Sequence, residues 1–251
     1  MAFSACPPPY ADRSARARFI VSTERKFETM RFHRIVLLAL GLASTPALAQ
    51  GQDGQLWLEF EASTEISDKV ELVFETNQRF SDDRGGLHES QYLAAAGVEI
   101  APGMTLTGGV NRVVATEDDR IDNIEWRPRQ QIGFPIAEFG SGKLAGRLRL
   151  EQRFRSDGDD IGHRVRPRVS YALPLGSAWE LEVAHESYFN LNSTDFGQDA
   201  GHERMRNSAE LSVPVTEKVD VQIGYMNQYR FNEGARDLTE HALTLGLSIG
   251  F

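Results

Sequence analysis

The sequence Thr239-Glu-His-Ala-Leu-Thr-Leu-Gly-Leu-Ser-Ile-Gly-Phe251 alternates between large and small side chains along its whole length. Successive side chains of an extended strand point to opposite faces of a sheet, so this stretch has one apolar face and one small or polar face. The first face carries His241, Leu243, Leu245, Leu247, Ile249 and Phe251, and the second carries Glu240, Ala242, Thr244, Gly246, Ser248 and Gly250. The pattern predicts the closing strand of a transmembrane β-barrel, with one face in lipid and the other in a crowded lumen.

Ten further segments between Gln55 and Arg230 alternate in the same way, and no window of comparable length shows a helical period. We therefore predict an all-β fold, a transmembrane antiparallel up-and-down β-barrel of about 10–12 strands over residues 50–251. Eleven strands cannot close an antiparallel barrel with both chain ends on one side, so we expect ten or twelve, with a slight preference for twelve. The long polar connections alternate with short ones, as in barrels whose long loops lie outside the cell. They are Ser81–Ser90, Thr116–Asp122, Arg155–Gly162, Asn190–His202 and Asn232–Asp237.

The N-terminal region has a different character from the alternating segments. Met30-Arg-Phe-His-Arg34 is basic, residues 35–43 are apolar, and Ala47-Leu-Ala49 precedes Gln50. This is the layout of a secretory signal peptide, and its apolar core is shorter than the roughly 20 residues that a spanning helix needs. We predict a signal peptide at residues 30–49, cleaved after Ala49, and an over-extended start or a leader at residues 1–29.

The composition restricts the classes of partner and cofactor. The chain has 27 basic and 36 acidic residues, and the first 49 residues hold seven of the basic but only three of the acidic ones. A barrel domain this acidic, without a basic tract, argues against nucleic acid as a partner. The single cysteine, Cys6, precedes the cleavage site, so we expect no disulfide or thiol chemistry in the barrel. The sequence shows no clustered metal ligands and no glycine-rich phosphate loop, and we expect no cofactor and no metal.

Many charged residues share the side of their strand that the alternation assigns to the lumen. An arginine or lysine at the midplane of the lipid-facing surface costs about 2–4 kcal/mol, so these charges must point inward. Two interpretations remain open: a network of salt bridges that fills a narrow lumen, or a basic wall that attracts anionic solutes. The inward charges are Arg127, Arg129, Arg147, Arg149, Arg153, Arg164, Arg166, Arg168, Glu180, Glu182 and Glu186.

A possible catalytic pattern lies on an outward face. His185 and Ser187 are two residues apart on one strand, and Asn207 has the same outward orientation on the next strand. This resembles the lipid-facing His-x-Ser site of outer-membrane phospholipase A and of the lipid A deacylases, in which the pattern continues as His-x-Ser-Asn. Here Tyr188 follows the serine, and His88-Glu-Ser90 repeats the tripeptide in a predicted loop. The alternative is that these polar groups mark the outer rim of the barrel, and this is the favoured interpretation of the sequence.

Several short motifs, taken in order, resemble an uncharacterised outer-membrane β-barrel family, domain of unknown function family 2490. The resemblance covers residues 55–251 and implies a barrel in the outer membrane, without implying a reaction. The motifs are Trp57-x-Glu59, Glu75-x-x-x-Arg79-Phe80, Leu150-Glu-Gln-Arg-Phe154, Arg166-Pro-Arg-x-x-Tyr171, Glu186-x-x-Phe189-Asn190, Gly224-Tyr225-Met226-x-Gln228 and Glu240-His241.

These observations favour a non-enzymatic, integral barrel of the bacterial outer membrane that is structural or weakly conducting. A channel for small anionic solutes and a lipid-modifying hydrolase at His185 and Ser187 are the alternatives. We expect the barrel to contact outer-membrane lipid and lipopolysaccharide, and to have periplasmic chaperones as partners. Resemblance to other outer-membrane barrels, which characteristically end on an aromatic residue, implies that Phe251 is an assembly signal for the barrel-assembly machinery.

Overall fold

The computed structural model describes residues 51–176, 178–231 and 237–251, so the predicted leader and signal peptide lie outside the described residues. The regular structure of the described residues consists of β-strands, which confirms the predicted fold class. The strands are β1 (Gly51–Ser67), β2 (Val70–Ser81), β3 (Gly86–Ala101), β4 (Met104–Glu117), β5 (Arg120–Phe139), β6 (Gly142–Arg155), β7 (Ile161–Leu175), β8 (Trp179–Asn190), β9 (Gly201–Pro214), β10 (Val219–Arg230) and β11 (Leu238–Gly250).

The described strands form one closed barrel, in which each strand pairs antiparallel with the next along the chain. The barrel closes by a parallel pairing of β1 with β11, in which Leu58 lies beside Leu245 and Phe60 beside Leu247. The expectation of ten or twelve strands is therefore wrong, because it assumed that every pairing is antiparallel. A parallel ladder joins two strands that run in the same direction, and odd strand numbers are known in mitochondrial barrels.

The connections at the two ends of the barrel differ less than the sequence predicts. At the end where β1 begins, called the loop end below, the connections are 82–85, 118–119, 156–160, 191–200 and 231–237. At the other end, the turn end, no connection between described strands exceeds four residues. The predicted long loop Thr116–Asp122 is a two-residue turn, with Asp118 and Asp119 at φ 49° and 59°. Positive φ at both central residues is the type I′ geometry that joins two twisted strands tightly.

The outer wall of the barrel is apolar, and it carries aromatic residues near both ends. Phe139 and Trp179 lie at the turn end, and Trp126 and Phe189 lie toward the loop end, all of them exposed. Two aromatic belts flanking an apolar band are the pattern of a barrel in a membrane. The described part of the chain contains no helix long and apolar enough to cross a membrane.

The interior of the barrel is mainly polar. Its one cluster of buried apolar side chains among the described residues consists of Trp57, Met226 and Ala242. Most other buried side chains are charged or amide groups. Every second residue of each strand points into the lumen, where polar side chains are not in contact with lipid. The stability of the interior therefore depends on how these polar groups pair.

Candidate functional site

A cavity of about 390 Å³ lies inside the barrel. Its wall is unusually rich in arginine, with twelve arginines against four carboxylates. The carboxylates are Glu75, Glu89, Asp122 and Glu125, and the arginines are Arg79, Arg84, Arg127, Arg129, Arg149, Arg153, Arg155, Arg164, Arg166, Arg204, Arg206 and Arg230. We call these arginines and the space they enclose the arginine cavity.

A network of ion pairs holds the arginine cavity together, and several of its carboxylates are shared. Glu125 accepts hydrogen bonds from Arg127 Nε at 2.5 Å and from Arg153 Nε at 2.6 Å. Glu151 accepts from Arg164 Nη2 at 2.7 Å and from Arg166 Nη1 at 2.6 Å. All six side chains are largely buried. Because each carboxylate serves two arginines, the network carries more positive than negative charge.

Five carboxylates outside the cavity wall also contact its arginines: Glu151, Glu186, Glu203, Glu240 and Asp157. With these included, twelve arginines still face nine carboxylates. Within the described residues, the arginine cavity is thus electropositive even after every ion pair has been counted. Such a wall attracts anions.

The register of the strands places like charges opposite each other. Arg147 lies opposite Arg168, and Arg149 lies opposite Arg166, on the paired strands β6 and β7. On β8 and β9, nearer the turn end than Glu186, Glu182 lies opposite Glu210. Like charges directly opposite on neighbouring strands are destabilising. The same register also places opposite charges face to face, for example Glu151 opposite Arg164 and Glu186 opposite Arg206.

Among the described residues, Arg206 and Arg149 are cavity arginines with weak or no carboxylate pairing. Arg206 donates to Gln228 Oε1 at 2.5 Å and has no carboxylate oxygen within 4 Å. Arg149 donates twice to Gln131 Oε1, at 2.7 and 2.9 Å, and its closest carboxylate, that of Glu151, is 3.9 Å away. Guanidinium groups in a cavity that make no close carboxylate contact are well suited to hold an anionic ligand.

Two aromatic rings, Trp57 on β1 and Tyr188 on β8, contact arginines of the cavity. The Arg79 guanidinium carbon lies 3.7 Å from the ring centroid of Trp57, and that of Arg206 lies 4.8 Å from it. Arg206 also lies 4.9 Å from the ring centroid of Tyr188, and Arg166 lies 4.2 Å from it. Both rings are buried. Arg206 therefore bridges a ring on β1 to a ring on β8, and this contact narrows the lumen at that level.

The connection 191–200 folds over the loop end of the arginine cavity. Arg153 Nη1 donates to Gln198 Oε1 at 3.0 Å, and the Phe196 ring lies 5.3 Å from the guanidinium carbon of Arg155. The same loop is tied to the neighbouring connection, because the backbone N–H of Asp159 donates to the Asp195 carboxylate at 2.8 Å. This hydrogen bond holds the pKa of Asp195 below its ordinary value. The loop reduces the open area of the mouth.

The structure divides the predicted inward charges into two groups. Arg127, Arg129, Arg149, Arg153, Arg164 and Arg166 line the arginine cavity. Arg147 and Arg168 lie outside its wall and pair with Glu186 and Glu182. Glu180 lies exposed at the turn end of β8.

Other cavity residues were missed by the sequence-based list. Arg79, Arg204, Arg206, Arg230 and the two aromatic residues Trp57 and Tyr188 all belong to the cavity wall. Their inward position follows from the same alternation that identified the others, so the signal was available. Arg79 and Arg230 are single arginines on their strands and form no run, whereas Arg204 and Arg206 form a run of the same spacing as the predicted ones and were overlooked.

On the outer wall, the structure brings His185, Ser187 and Asn207 together. His185 Nδ1 lies 2.8 Å from Asn207 Oδ1, and His185 Nε2 lies 3.1 Å from Ser187 Oγ. His185 and Asn207 are directly opposite each other in the β8–β9 register, which explains the contact. The second tripeptide, His88-Glu-Ser90, lies in strand β3 and not in the predicted loop, and Ser90 donates instead to Gln78 Oε1 at 2.5 Å.

Among the described residues, no group of three or more histidine, cysteine, aspartate or glutamate side chains is arranged to hold a metal ion.

Comparison with known proteins agrees with the closed barrel. The model of a family described as "Protein of unknown function (DUF2490)" matches residues 54–239. The chain belongs to this family. An uncharacterised protein of Methylorubrum extorquens is 33% identical over 231 residues, which cover 88% of this chain and all of that protein.

A solved structure of the NanC porin has the same fold, with a TM-score of 0.52 over 78% of this chain and 98% of that one. The sequence identity is 12%, so this likeness concerns the fold alone. The barrel, its apolar outer wall and the porin-like fold together point to the outer membrane.

Proposed function

We propose that this DUF2490 barrel is a weakly conducting outer-membrane channel that takes small anionic solutes into the arginine cavity. The observation that carries the proposal is the twelve arginines that line a cavity of about 390 Å³, against four carboxylates in the same wall. Rings of arginine or lysine are the usual means by which pores select anions. Of the two interpretations of the lumen charges, the anion channel is the one that gives a role to the excess of arginine over carboxylate.

The register of the strands and the solved neighbour support the proposal. Opposed arginines such as Arg149 and Arg166 raise the positive potential of the wall at a cost in stability, which a bound anion would offset. The neighbour of the same fold is called a porin. The Trp57–Arg206–Tyr188 contact and the loop 191–200 narrow the path, so we expect a small conductance and not that of a wide pore.

Planar-bilayer recording with the purified, folded barrel tests the proposal. Under a gradient of potassium chloride, the reversal potential should show a preference for chloride over potassium. Replacing Arg206→Gln should lower this preference severalfold, because Arg206 lines the cavity and pairs with the Gln228 amide oxygen instead of a carboxylate. Addition of inorganic phosphate should reduce the chloride current, since phosphate competes for the same guanidinium groups.

Arg112→Gln is the matched control, because Arg112 is absent from the cavity wall and lies against Trp126 at 5.9 Å, an exposed tryptophan of the outer wall. Its reversal potential should equal that of the unchanged barrel. A folded barrel that shows no openings, or one whose selectivity for chloride is the same after Arg206→Gln, would overturn the proposal and leave the salt-bridge network as a purely structural filling.

A further inference from the structure

We infer that His185, Ser187 and Asn207 form an ester-hydrolysing site on the outer wall of the barrel, directed at the acyl esters of membrane lipids. The inference is independent of the lumen and departs from the non-enzymatic interpretation of the sequence. It rests on three observations: the order of the hydrogen bonds, the face of the barrel that carries them, and their position relative to the aromatic belt.

The hydrogen bonds fix the form of the imidazole that catalysis requires. An amide oxygen can only accept, so His185 Nδ1 donates its proton to Asn207 Oδ1 across 2.8 Å. In the neutral ring, Nε2 is then unprotonated and accepts from the Ser187 hydroxyl at 3.1 Å. A nucleophile bonded to a base, with the base oriented by a third group, is the general arrangement of an activated serine.

The face of the barrel determines the class of substrate. Glu186 and Tyr188 point into the lumen and are buried, so His185 and Ser187, which alternate with them along β8, point outward. Their neighbours on the same face are apolar, with Val169 opposite His185 and Met205 opposite Ser187. A nucleophile in these surroundings meets lipid, and the esters within its reach are those of lipid acyl chains.

The position along the strand agrees with this substrate. Phe189 follows Ser187 by two residues, which is about 7 Å along a strand. Its ring stacks on His202 at 4.5 Å, and His202 lies 4.5 Å from the Phe231 ring. Aromatic belts lie where the hydrocarbon meets the headgroups. Ser187 is therefore just on the hydrocarbon side of the belt at the loop end, at the depth of the ester groups and close to interfacial water.

The reaction uses only water as a second substrate. Ser187 Oγ forms a bond with the ester carbonyl carbon while its proton passes to His185 Nε2. The bond between that carbon and the alcohol oxygen of the lipid then breaks, and the alcohol leaves with the proton from His185. Water attacks the acyl-serine, gives a proton to His185, and releases a fatty acid while Ser187 recovers its hydrogen. The products are one fatty acid and one lysolipid.

Other outward polar pairs show what distinguishes this cluster. Ser90 donates to the Gln78 amide at 2.5 Å without a histidine, and His241 Nδ1 lies 2.6 Å from Tyr225 Oη without a serine. Pairing of polar groups on the outer wall is thus common in this barrel. Among the described residues, only at His185 does an imidazole on that wall join a serine hydroxyl to an amide oxygen. These two pairs supply matched controls.

The experiment uses the refolded full barrel, incubated with vesicles of phosphatidylethanolamine and phosphatidylglycerol or, separately, with lipopolysaccharide. Released fatty acid and lysolipid are measured by mass spectrometry, and a fluorophosphonate probe reports the reactive serine directly. Unchanged barrel should release fatty acid from one of the two lipids and become labelled on Ser187. Ser187→Ala and His185→Gln should each lower release at least about a hundredfold, whereas Ser90→Ala and His241→Gln should retain it.

Asn207 acts through His185 and is a positioning residue. Asn207→Asp keeps an oxygen that accepts from Nδ1, whereas Asn207→Leu removes it at similar volume. Retention of most activity by Asn207→Asp together with its loss in Asn207→Leu would identify this role, since a purely structural contact would tolerate leucine in lipid. Heat modifiability of every variant shows that it has folded.

Release from glycerophospholipid but not from lipopolysaccharide, or the reverse, would support the inference and name the lipid. Equal release by unchanged barrel and Ser187→Ala, or no release from either lipid and no labelling of Ser187, would overturn it. Neither result bears on the reversal potentials that test the channel, so the two proposals fail separately.

Discussion

The two faces of strand β8 differ in how their polar side chains are paired. On the lumen side, Glu186 accepts hydrogen bonds from Arg147 at 2.5 Å, from Arg166 at 2.9 and 3.1 Å, and from Tyr188 at 3.0 Å. On the lipid side, His185 makes only the two bonds to Asn207 and Ser187. The inner face buries charges that depend on several partners, and the outer face carries a short chain of neutral groups.

This difference indicates where stability and reactivity lie. Removing one member of the inner network leaves other charges buried without a partner, which is costly. Removing one member of the outer chain leaves neutral groups that lipid and interfacial water tolerate at lower cost. We expect the inner face to determine whether the barrel folds, and the outer face to be free for chemistry.

The assignment of residues to the inner and outer faces depends on the parallel pairing of β1 with β11. A cross-linking test of this pairing should give an all-or-none result. Leu58 on β1 and Leu245 on β11 are direct neighbours in the parallel register and both are exposed on the outer wall. With Cys6→Ser as background, the pair Leu58→Cys and Leu245→Cys should be joined completely by a short bifunctional thiol reagent in the folded barrel. The joined chain should migrate as a looped species on a denaturing gel.

Leu72→Cys with Leu245→Cys is the control, because Leu72 lies on β2 and the intervening strand β1 separates it from β11. This pair should remain unjoined. Joining of both pairs, or of neither, would contradict the parallel closure, and the assignment of β1 residues to the two faces would then need revision.

The largest expected change in stability comes from the inner face of β8. Glu186→Leu leaves Arg147 and Arg166 without their shared carboxylate, and loss of one partner of a buried pair costs about 3–5 kcal/mol. His185→Leu, one residue away on the lipid side, should change stability by under about 0.5 kcal/mol, as is usual for substitutions away from the core. Guanidinium unfolding of the barrel in lipid vesicles, followed by tryptophan fluorescence, measures both. Equal losses would refute the division between the faces.

Alternation alone predicted much of the fold. All eleven segments chosen from the sequence are strands, and Arg149 and Arg166 lie on the predicted face. This is possible because the side-chain period of a strand is two, and because a charge costs so much in lipid that its face is decided locally. The same reasoning placed His185 and Asn207 on one wall.

Alternation could not predict how the barrel closes, how its turns are built, or which side chains pair across strands. The parallel β1–β11 ladder joins residues at the two ends of the barrel sequence, and no local pattern records such a pairing. The Asp118–Asp119 turn depends on backbone angles that aspartate tolerates but does not require. Which arginine faces which carboxylate depends on the register, and the register places Arg147 opposite Arg168. The 2.8 Å contact of His185 with Asn207 depends on the β8–β9 register in the same way.

The smallest expected effect concerns two tryptophans that each lie beside an arginine. Trp57 lies inside the barrel, and Trp126 lies on its outer wall. Trp57 is buried, lies 3.7 Å from Arg79 and 4.8 Å from Arg206, and donates to Gln55 Oε1 at 2.7 Å. Trp126 is exposed to lipid and lies 5.9 Å from Arg112. A desolvated cation–π contact contributes about 2 kcal/mol and an exposed one about 0.5–1 kcal/mol. Trp57→Leu should therefore destabilise the barrel by about 2 kcal/mol, and Trp126→Leu by less than half of that.

The substitutions Trp57→Leu and Trp126→Leu should also differ in their effect on conductance. Trp57→Leu removes the ring that Arg206 contacts across the lumen, so the single-channel conductance should rise even as stability falls. Trp126→Leu changes only the outer wall and should leave conductance unchanged. A lower conductance after Trp57→Leu would mean that the released Arg79 and Arg206 close the path, and that the ring holds the arginine cavity open. An equal response to both substitutions would mean that the narrow level of the lumen lies elsewhere.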